Sequence, residues 1–416
     1  MIIPAPESTE AGLHSVHHDG SERYVLPLGG ARHDRLRIGN EVKLRLRMAV
    51  DAPVERVLLR TAPDGEQLFT EMSVEPAGEP EQESCRWWQA TIRLNQPVVG
   101  YRFLLLAGDG LRWLNGAGVQ ESTPLDVADF RLLAGYDAPD WLESSVIYQI
   151  FPDRFAASAA GQEEGSSGGA MDAQVARARS LGLPASRRAW DESPSRGREA
   201  LFEFYGGDLP GIEQRLDHLE SLGVNAIYLT PIFESLSNHG YDCVDHEHVA
   251  AHFGGNAALA SLREATRKRG IRLILDIAPN HVGVAHPWFA AAQADPASPT
   301  AGFFSFIEHP DEYETWLGRR SLVKLNYESA ALRRAMYEAP DAIMRRWLRE
   351  PYSIDGWRID VANMLGRLGP SQIGPDVARA MRQSVREENP NAYLVGENWF
   401  DATAQLMGDQ WDAAMD

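Results

Sequence analysis

Two patterns of hydrophobic and polar positions divide the chain near residue 138. Apolar and charged side chains alternate strictly over residues 41–50, which predicts a β-strand with one face in water. Turn signals such as Pro63-Asp64-Gly65 separate four further predicted strands, at 54–60, 67–74, 87–94 and 98–106. Short strands at this spacing predict a β-sandwich over residues 37–138. Residues 1–36 show no periodicity, so a loose N-terminal arm is expected there, with one strand near residues 24–26.

Beyond residue 138, apolar runs of strand length alternate with amphipathic helical segments. The predicted strands are 146–151, 224–229, 271–276, 354–360 and 393–397. Such alternation predicts an α/β fold with a parallel sheet, and we expect a (β/α)8 TIM barrel over 139–416 with about five of its eight strands present. Residues 280–328 fit neither period and are expected to form an excursion from the barrel. Residues 156–204, rich in alanine, glycine, serine and charge, are expected to form a long mobile insertion.

Two of the predicted barrel strands end in a carboxylate. The strand 354–360 places Arg358 and Asp360 on one face, and the strand 393–397 ends at Glu397. In barrel enzymes the carboxyl ends of the strands carry the catalytic groups, so a two-carboxylate active site is predicted. Arg358 should lower the pKa of Asp360 and keep it ionised, as a nucleophile requires. Glu397 would then be the general acid, which calls for less solvated or more negative surroundings.

Further polar residues follow the second and third predicted strands: His239, Tyr241, Asp276, Asn280 and His281. Each has a purely structural alternative, since histidines often cap or pack, tyrosines pack, and Asn280 could be a hydrogen-bond partner only. Arg358 and Asp360 could likewise form a structural ion pair. The histidines do not show a zinc spacing, and the Gly206-Gly207 pair lacks the lysine of a phosphate loop.

Composition narrows the choice of partners and compartment. The 416 residues carry a formal net charge of −19, which argues against nucleic acid and anionic membranes as partners. The only two cysteines, Cys85 and Cys243, lie far apart and form no disulfide framework. The start lacks the basic and apolar regions of a signal peptide, and no apolar run is long enough to span a membrane. We therefore expect a cytoplasmic protein.

Three segments carry a specific resemblance. Asp276–His281 (Asp-Ile-Ala-Pro-Asn-His), Gly356–Asp360 (Gly-Trp-Arg-Ile-Asp) and Gly396–Asn398 (Gly-Glu-Asn) resemble three of the four signature regions of the α-amylase family of glycoside hydrolases, in the family's order.

Three other segments narrow the resemblance to one branch of that family. Val146–Phe155, Tyr205–Leu209 and Leu322–Asn326 are similar to the neopullulanase, cyclomaltodextrinase and maltodextrin glucosidase branch, although Val323 replaces its usual proline. The match to maltodextrin glucosidases is best, through Ser321–Tyr327 and the run after Asp360. The amino-terminal sandwich also fits the branch, in which it resembles a carbohydrate-binding domain. Trp87, Trp88 and Trp113 are there either a sugar-stacking platform or core and interface aromatics.

The resemblance implies a role for each candidate residue. Asp360 would be the nucleophile and Glu397 the acid/base, with Arg358 orienting Asp360 and Asp276 bracing Arg358. The remaining roles are a sugar hydrogen bond from His281, stacking by Tyr241 with His239 nearby, and in many amylases a calcium ion on Asn280. Calcium is not needed throughout this branch, so no required cofactor is expected and calcium stays an open alternative.

The implied function is retaining hydrolysis of α-1,4-glucosidic bonds in maltodextrins, as an α-glucosidase. A cyclomaltodextrinase or neopullulanase is the first alternative. A non-catalytic carbohydrate-binding fragment is the second, because the fourth signature region and its aspartate are absent from the sequence. The 416 residues are accordingly expected to be a truncated or complemented form with little activity alone. Enzymes of this branch often dimerise, so a homodimer is a further expectation.

Overall fold

A computed structural model describes residues 13–76, 84–158 and 168–415. By its internal contacts the chain separates into two compact units, Met1–Ala138 and Pro139–Asp416. Within the described ranges no helix has the length and apolar composition needed to cross a membrane.

The first unit consists of two antiparallel sheets around one apolar core. The first sheet has the strand order Val25–Pro27, Glu41–Ala49, Cys85–Arg93, Ser73–Val74. The second has the order Leu68–Glu71, Val54–Thr61, Val98–Ala107, Gly110–Asn115, Gly118–Gln120, and Phe130–Leu133 also pairs with Val98–Ala107. The alternation over residues 41–50 directs every second side chain into the core: Val42, Leu44, Leu46 and Met48 are fully buried.

Residues 13–36 belong to this unit and do not form a loose arm. Val25–Pro27 pairs with Val42–Leu44, and Leu13, Val16 and Leu36 are buried in the same core. The strand expected near residues 24–26 is present, but the expectation of a loose arm is wrong for residues 13–36, because their apolar positions are too irregularly spaced to show a period. Residues 1–12 of the expected arm lie outside the described residues.

The three tryptophans of the first unit are interior residues. Trp87, Trp88 and Trp113 are each less than a tenth exposed. The guanidinium of Arg45 covers the ring of Trp87 at 4.0 Å, and that of Arg102 lies 5.5 Å from the ring of Trp113. The packing alternative is therefore correct, and these rings do not form an open platform for a sugar.

The second unit contains a curled sheet of six parallel strands in chain order, which we number as barrel strands one to six: Ile147–Ile150, Ala226–Leu229, Arg272–Ile277, Gly356–Ile359, Tyr393–Glu397 and Ala413–Met415. Each strand pairs with the next along the chain, as in a TIM barrel, which closes with eight. The five predicted strands are present. The sixth was not predicted, because three residues of Ala-Ala-Met show no strand pattern.

Helices connect the barrel strands: Leu209–Glu213, Leu216–Ser221, Gly255–Lys268, Ala330–Arg333, Ile343–Arg346 and Gly374–Glu388. Asp208 caps the first of them by accepting a hydrogen bond from the Gly211 N–H at 2.7 Å. The helical segment between the third and fourth barrel strands is broken, with a π-helical turn at Arg334–Glu338 and an interruption at Pro340. Proline lacks the N–H that a helix interior uses, which explains the interruption.

The described part of the predicted insertion is ordered. Helix Gly168–Ser180 packs through Met171 and Val175 onto Phe202 and Phe204. The sequence did not predict this helix, because the small, polar composition of the segment concealed one apolar helical face. Residues 159–167 of the insertion lie outside the described residues.

The excursion over 280–328 contains a small antiparallel sheet that borders the barrel. His281–Gly283 pairs with Arg319–Lys324, which also pairs with Thr315–Trp316. Helix Pro287–Ala294 and the hairpin of Phe306–Glu308 and Glu312–Tyr313 complete it. In this sheet His281 lies opposite Lys324, so the excursion brings a lysine beside a predicted site residue.

Candidate active site

The pairing register of the third, fourth and fifth barrel strands brings the predicted carboxylates together. Asp276 lies opposite Arg358, and Ile359 lies opposite Gly396. Because parallel strands end at the same edge of a sheet, Asp360 and Glu397 follow at that edge on neighbouring strands. The sequence predicts these residues from their positions at strand ends. The pairing register explains why they lie next to one another.

Arg358 is the centre of the cluster. Its Nη1 donates to Asp360 Oδ1 at 2.7 Å and lies 3.2 Å from Asp276 Oδ2, and its Nη2 lies 2.8 Å from Glu397 Oε1. The Arg358 side chain is 6% exposed, so water screens these contacts little. One buried guanidinium therefore serves three carboxylates, and the local charge balance is negative.

The pKa of Asp360 differs in direction from the lowered pKa that the sequence predicts. Burial and the neighbouring Asp276 carboxylate raise the pKa of Asp360 well above its usual value, and Arg358 acts in the opposite direction. Burial likewise raises the pKa of Asp276 to about 6. The prediction of a lowered pKa considered only Arg358 and left out burial, which has the largest effect, and the repulsion from the Asp276 and Glu397 carboxylates.

The residue after Asp360 has a strained backbone. Val361 adopts a φ of 50°, a left-handed conformation that β-branched residues rarely occupy. In this conformation its N–H donates to Glu397 Oε2 at 2.8 Å. Glu397 is thus held from two sides, by Arg358 and by the backbone of the loop that carries Asp360.

Two tyrosines complete the surroundings of Asp276. The hydroxyl of Tyr241 donates to Asp276 Oδ2 at 3.1 Å, and the hydroxyl of Tyr228 donates to the same oxygen. The Arg358 guanidinium lies 5.7 Å from the Tyr241 ring centre. Burial raises the pKa of Tyr241, so its hydroxyl remains a proton donor. Tyr228 was not predicted, because it lies inside an apolar strand and no motif marks it.

His281 and His239 lie on the open side of the cluster. His281 Nε2 is 3.9 Å from Asp360 Oδ2. Burial, and next the positive charge of Lys324, lowers the pKa of His281 to about 3, so its imidazole is neutral at physiological pH. His239 stacks on Tyr241 with ring centres 5.7 Å apart, and its Nδ1 accepts the Tyr241 N–H at 3.1 Å.

These residues form part of the wall of one cavity of about 860 Å³. Predicted residues in its lining are His239, Tyr241, His281, Asp360 and Glu397, whereas Asp276, Arg358 and Asn280 are not among the lining residues. The insertion adds residues such as Arg198 and Phe202. Trp316 and Trp399 also line the cavity, with ring centres 6.1 Å apart. They were not predicted, since isolated tryptophans carry no positional signal. Together, two carboxyl groups and an aromatic wall suit a polar substrate that contains ring units able to stack on tryptophan.

Asn280 does not fit the calcium site that the resemblance left open. Its Oδ1, the atom that would bind a cation, accepts a hydrogen bond from Lys324 Nζ at 2.6 Å. Burial lowers the pKa of Lys324 to about 8, which leaves an ammonium group at neutral pH. In the described part of the chain no three or more histidine, cysteine, aspartate or glutamate side chains are grouped to hold a metal ion.

Comparison with known proteins agrees with this geometry. Residues 149–415 match the family model "Alpha amylase, catalytic domain". An intracellular maltogenic amylase of Bacillus subtilis is 34% identical over 284 residues, which are 67% of this chain and 42% of that protein. A cyclomaltodextrinase of Geobacillus thermopakistaniensis is 32% identical over 346 residues, 79% of this chain and 52% of that protein.

Solved structures show the same relationship. A cyclomaltodextrinase superposes with a TM-score of 0.62 at 27% identity, over 97% of this chain and 64% of that one. The chain spans about half the length of the curated relatives it matches. The family match covers the three predicted signature regions. It also covers all six barrel strands, except for the first two residues of barrel strand one. The chain therefore belongs to the alpha-amylase family of glycoside hydrolases.

Proposed function

We propose that this protein hydrolyses α-1,4-glucosidic bonds of short maltodextrins with retention of configuration. One observation carries the proposal: Asp360 and Glu397, at the ends of adjacent strands, contact the same Arg358 guanidinium and line the same cavity. Retaining glycosidases use two such carboxyl groups, one as nucleophile and one as acid/base.

The proposed reaction has two steps. Asp360 attacks the anomeric carbon while Glu397 gives its proton to the departing glycosidic oxygen, which leaves a glycosyl ester on Asp360. Glu397 then removes a proton from a water molecule, and the resulting attack releases the sugar and restores Asp360. This cycle requires the proton on Glu397 and the negative charge on Asp360, although burial and the Asp276 carboxylate raise the pKa of Asp360. Arg358 supports that charge through its 2.7 Å contact with Asp360 Oδ1.

The names of the relatives bear on the choice of substrate. Proteins named maltogenic amylase and cyclomaltodextrinase support the cyclomaltodextrinase and neopullulanase alternative, whereas the α-glucosidase assignment rests on motifs alone. We further propose a cytoplasmic protein without a required cofactor, supported by a relative named as intracellular and by the Lys324 contact on Asn280. A homodimer stays a prediction.

The test is product analysis with maltotriose and β-cyclodextrin, beside an Asp360→Asn control. We expect release of α-configured sugars, at a low rate because this chain spans about half the length of its relatives, and this release should vanish in the control. Glucose from maltotriose alone supports the glucosidase, and opening of the cyclodextrin ring supports the cyclomaltodextrinase. A 5-fluoroglycosyl fluoride should label the peptide that contains Asp360. Binding of maltotriose without any product, and without labelling, would contradict the proposal and favour the carbohydrate-binding alternative.

A further inference from the structure

Lys324 is a buried lysine in contact with the site. It ends the strand Arg319–Lys324, lies opposite His281 in the register, and is 5% exposed. A buried ammonium group is costly unless hydrogen-bond acceptors surround it. Its acceptors are Asn280 Oδ1 at 2.6 Å and the backbone oxygen of Met364 at 3.2 Å.

We propose that Lys324 is a positioning residue of the active site: by orienting the Asn280 amide it fixes the proton of His281 on Nε2, the nitrogen beside Asp360. The inference rests on the proposed function, because the oriented N–H serves a sugar held at Asp360.

The relay follows from which groups donate and which accept. An ammonium group only donates, so it turns the oxygen of the Asn280 amide toward itself. The amide nitrogen of Asn280 then faces His281 Nδ1, at 3.1 Å, and donates to it. A neutral imidazole has one N–H, and with Nδ1 accepting, the proton resides on Nε2.

The proton on Nε2 is available to a ligand. His281 Nε2 is buried, lies 3.9 Å from Asp360 Oδ2 and has no hydrogen-bond partner of normal geometry among the described residues, although the Tyr241 backbone also interacts with the imidazole. A buried N–H without a protein partner is expected to find one in a bound molecule. A sugar hydroxyl beside Asp360 would accept it, and would at the same time be held next to the nucleophile.

The second contact of Lys324 is with the loop that follows the fourth barrel strand. Met364 follows Asp360 by four residues, and Val361 in the same loop donates to Glu397. Lys324 thus joins the excursion to the loops after the third and fourth strands, which carry His281 and Asp360. Displacement of this loop would move both carboxyl groups, and small displacements of reacting groups reduce turnover strongly.

Two variants separate the relay from a general packing role. Lys324→Met keeps an unbranched side chain, one atom shorter, but removes the donor. Asn280→Asp keeps an acceptor for Lys324 but has no N–H to give to His281 Nδ1. Both should move the His281 proton from Nε2 toward Nδ1. Nitrogen-15 NMR of histidine-labelled protein at pH 6.5 reads the tautomer directly, with the His281 signals assigned by a His281→Gln variant.

The wild type should show a protonated Nε2 and a bare Nδ1, and both variants should lose that pattern. An unchanged tautomer in folded Asn280→Asp and Lys324→Met, with folding checked by circular dichroism, would overturn the inference. Lys268→Met is the matched control, because this exposed lysine (72%) lies on helix Gly255–Lys268 and has no proposed role in the active site. It should leave the His281 signals in place.

Kinetics give a second readout. We expect kcat for maltotriose to fall roughly 10- to 100-fold in both variants, with a smaller change in KM, because positioning matters most at the transition state. The NMR result does not depend on turnover. A wild type without activity but with the expected tautomer shifts would refute the proposed function and leave the positioning role standing. An active wild type whose variants keep the tautomer and full kcat would refute the positioning role alone.

Discussion

The fourth barrel strand, Gly356–Ile359, has an aspartate just outside each end, and the two have opposite surroundings. Asp355 precedes the strand and is 4% exposed. Its oxygens lie 2.8 Å from Arg263 Nη1 and 3.0 Å from Arg272 Nη1, and one of them accepts the Leu273 N–H at 2.8 Å. This end of the strand has two positive charges for one carboxylate.

Asp360 follows the strand, is equally buried at 5% exposure, and shares one guanidinium with Asp276 and Glu397. The two ends therefore differ in charge balance and not in burial. A carboxylate with surplus partners is fully neutralised and contributes to folding. A carboxylate that competes for its partner is held at a cost, and such a site persists where function requires it. The difference matches the division of a barrel into a stabilising face and a catalytic face.

Asp360→Asn should have the largest effect, and it should be on activity. Loss of the proposed nucleophile is expected to reduce kcat/KM by a factor on the order of 10⁴ or more. The free energy of unfolding should stay equal or rise, because the substitution relieves repulsion with Asp276 and Glu397. Kinetics and urea unfolding of the same preparation check both parts. Retention of a tenth of the activity, or a clear loss of stability, would contradict the proposed difference between the two ends of the fourth barrel strand.

Asp355→Asn should have the reverse effect. Removing this carboxylate leaves Arg263 buried without its partner, which is expected to cost about 4 kcal/mol in the free energy of unfolding. At a temperature where the variant is folded, kcat should remain close to that of the wild type, because Asp355 is not among the cavity-lining residues. Urea unfolding, followed by kinetics on the folded fraction, measures both. An active-site defect as large as the stability defect would show that the two ends are coupled.

The sequence is sufficient to predict the features of this site that depend on the residues of a single strand. Asp360, Glu397 and Arg358 were recognisable because charged residues at the end of an apolar strand have few structural explanations. The strands themselves followed from apolar runs and from the flanking helices.

Features that depend on contacts between distant segments could not be predicted in this way. The raised pKa of Asp360 comes in part from Asp276, whose partner Arg358 is 82 residues away along the chain. Lys324 reaches Asn280 across 44 residues, and Tyr228 reaches Asp276 across 48. The short sixth strand, Ala413–Met415, depends on pairing with its neighbour more than on its own residues.

Asp276→Asn should change how stability depends on pH. Burial raises the pKa of Asp276 from its ordinary value of 3.8 to about 6. A carboxyl group whose pKa is higher in the folded state stabilises the fold while protonated, and this contribution is lost as pH rises through the folded-state value. The variant has no such loss. The unfolding free energy of the variant minus that of the wild type should therefore increase by about 2 kcal/mol between pH 4 and pH 7.

Urea unfolding of both proteins across this pH range measures the difference, in which the buried histidines common to both cancel. A difference that is flat with pH would mean that Arg358 neutralises Asp276 completely. In that case the carboxyl end of the strand would be as well balanced as the end at Asp355, and charge balance would not distinguish them.

Glu350→Gln should have the smallest effect and tests whether burial underlies the comparison. Arg267 lies one turn from Arg263 on the helix Gly255–Lys268, and its Nη1 lies 2.9 Å from Glu350 Oε1, in the segment that leads to Asp355. The geometry matches that of Arg263 and Asp355, but these side chains are 49% and 68% exposed, against 8% and 5% for the buried pair. Once Glu350 is neutral, Arg267 keeps its ion pair with Glu264 and is solvated by water, so the urea midpoint should stay within experimental error of the wild type. If Glu350→Gln lowered the midpoint as much as Asp355→Asn does, loss of any charge near this helix would suffice, and the stability at this end of the strand could not be assigned to the buried, doubly paired Asp355.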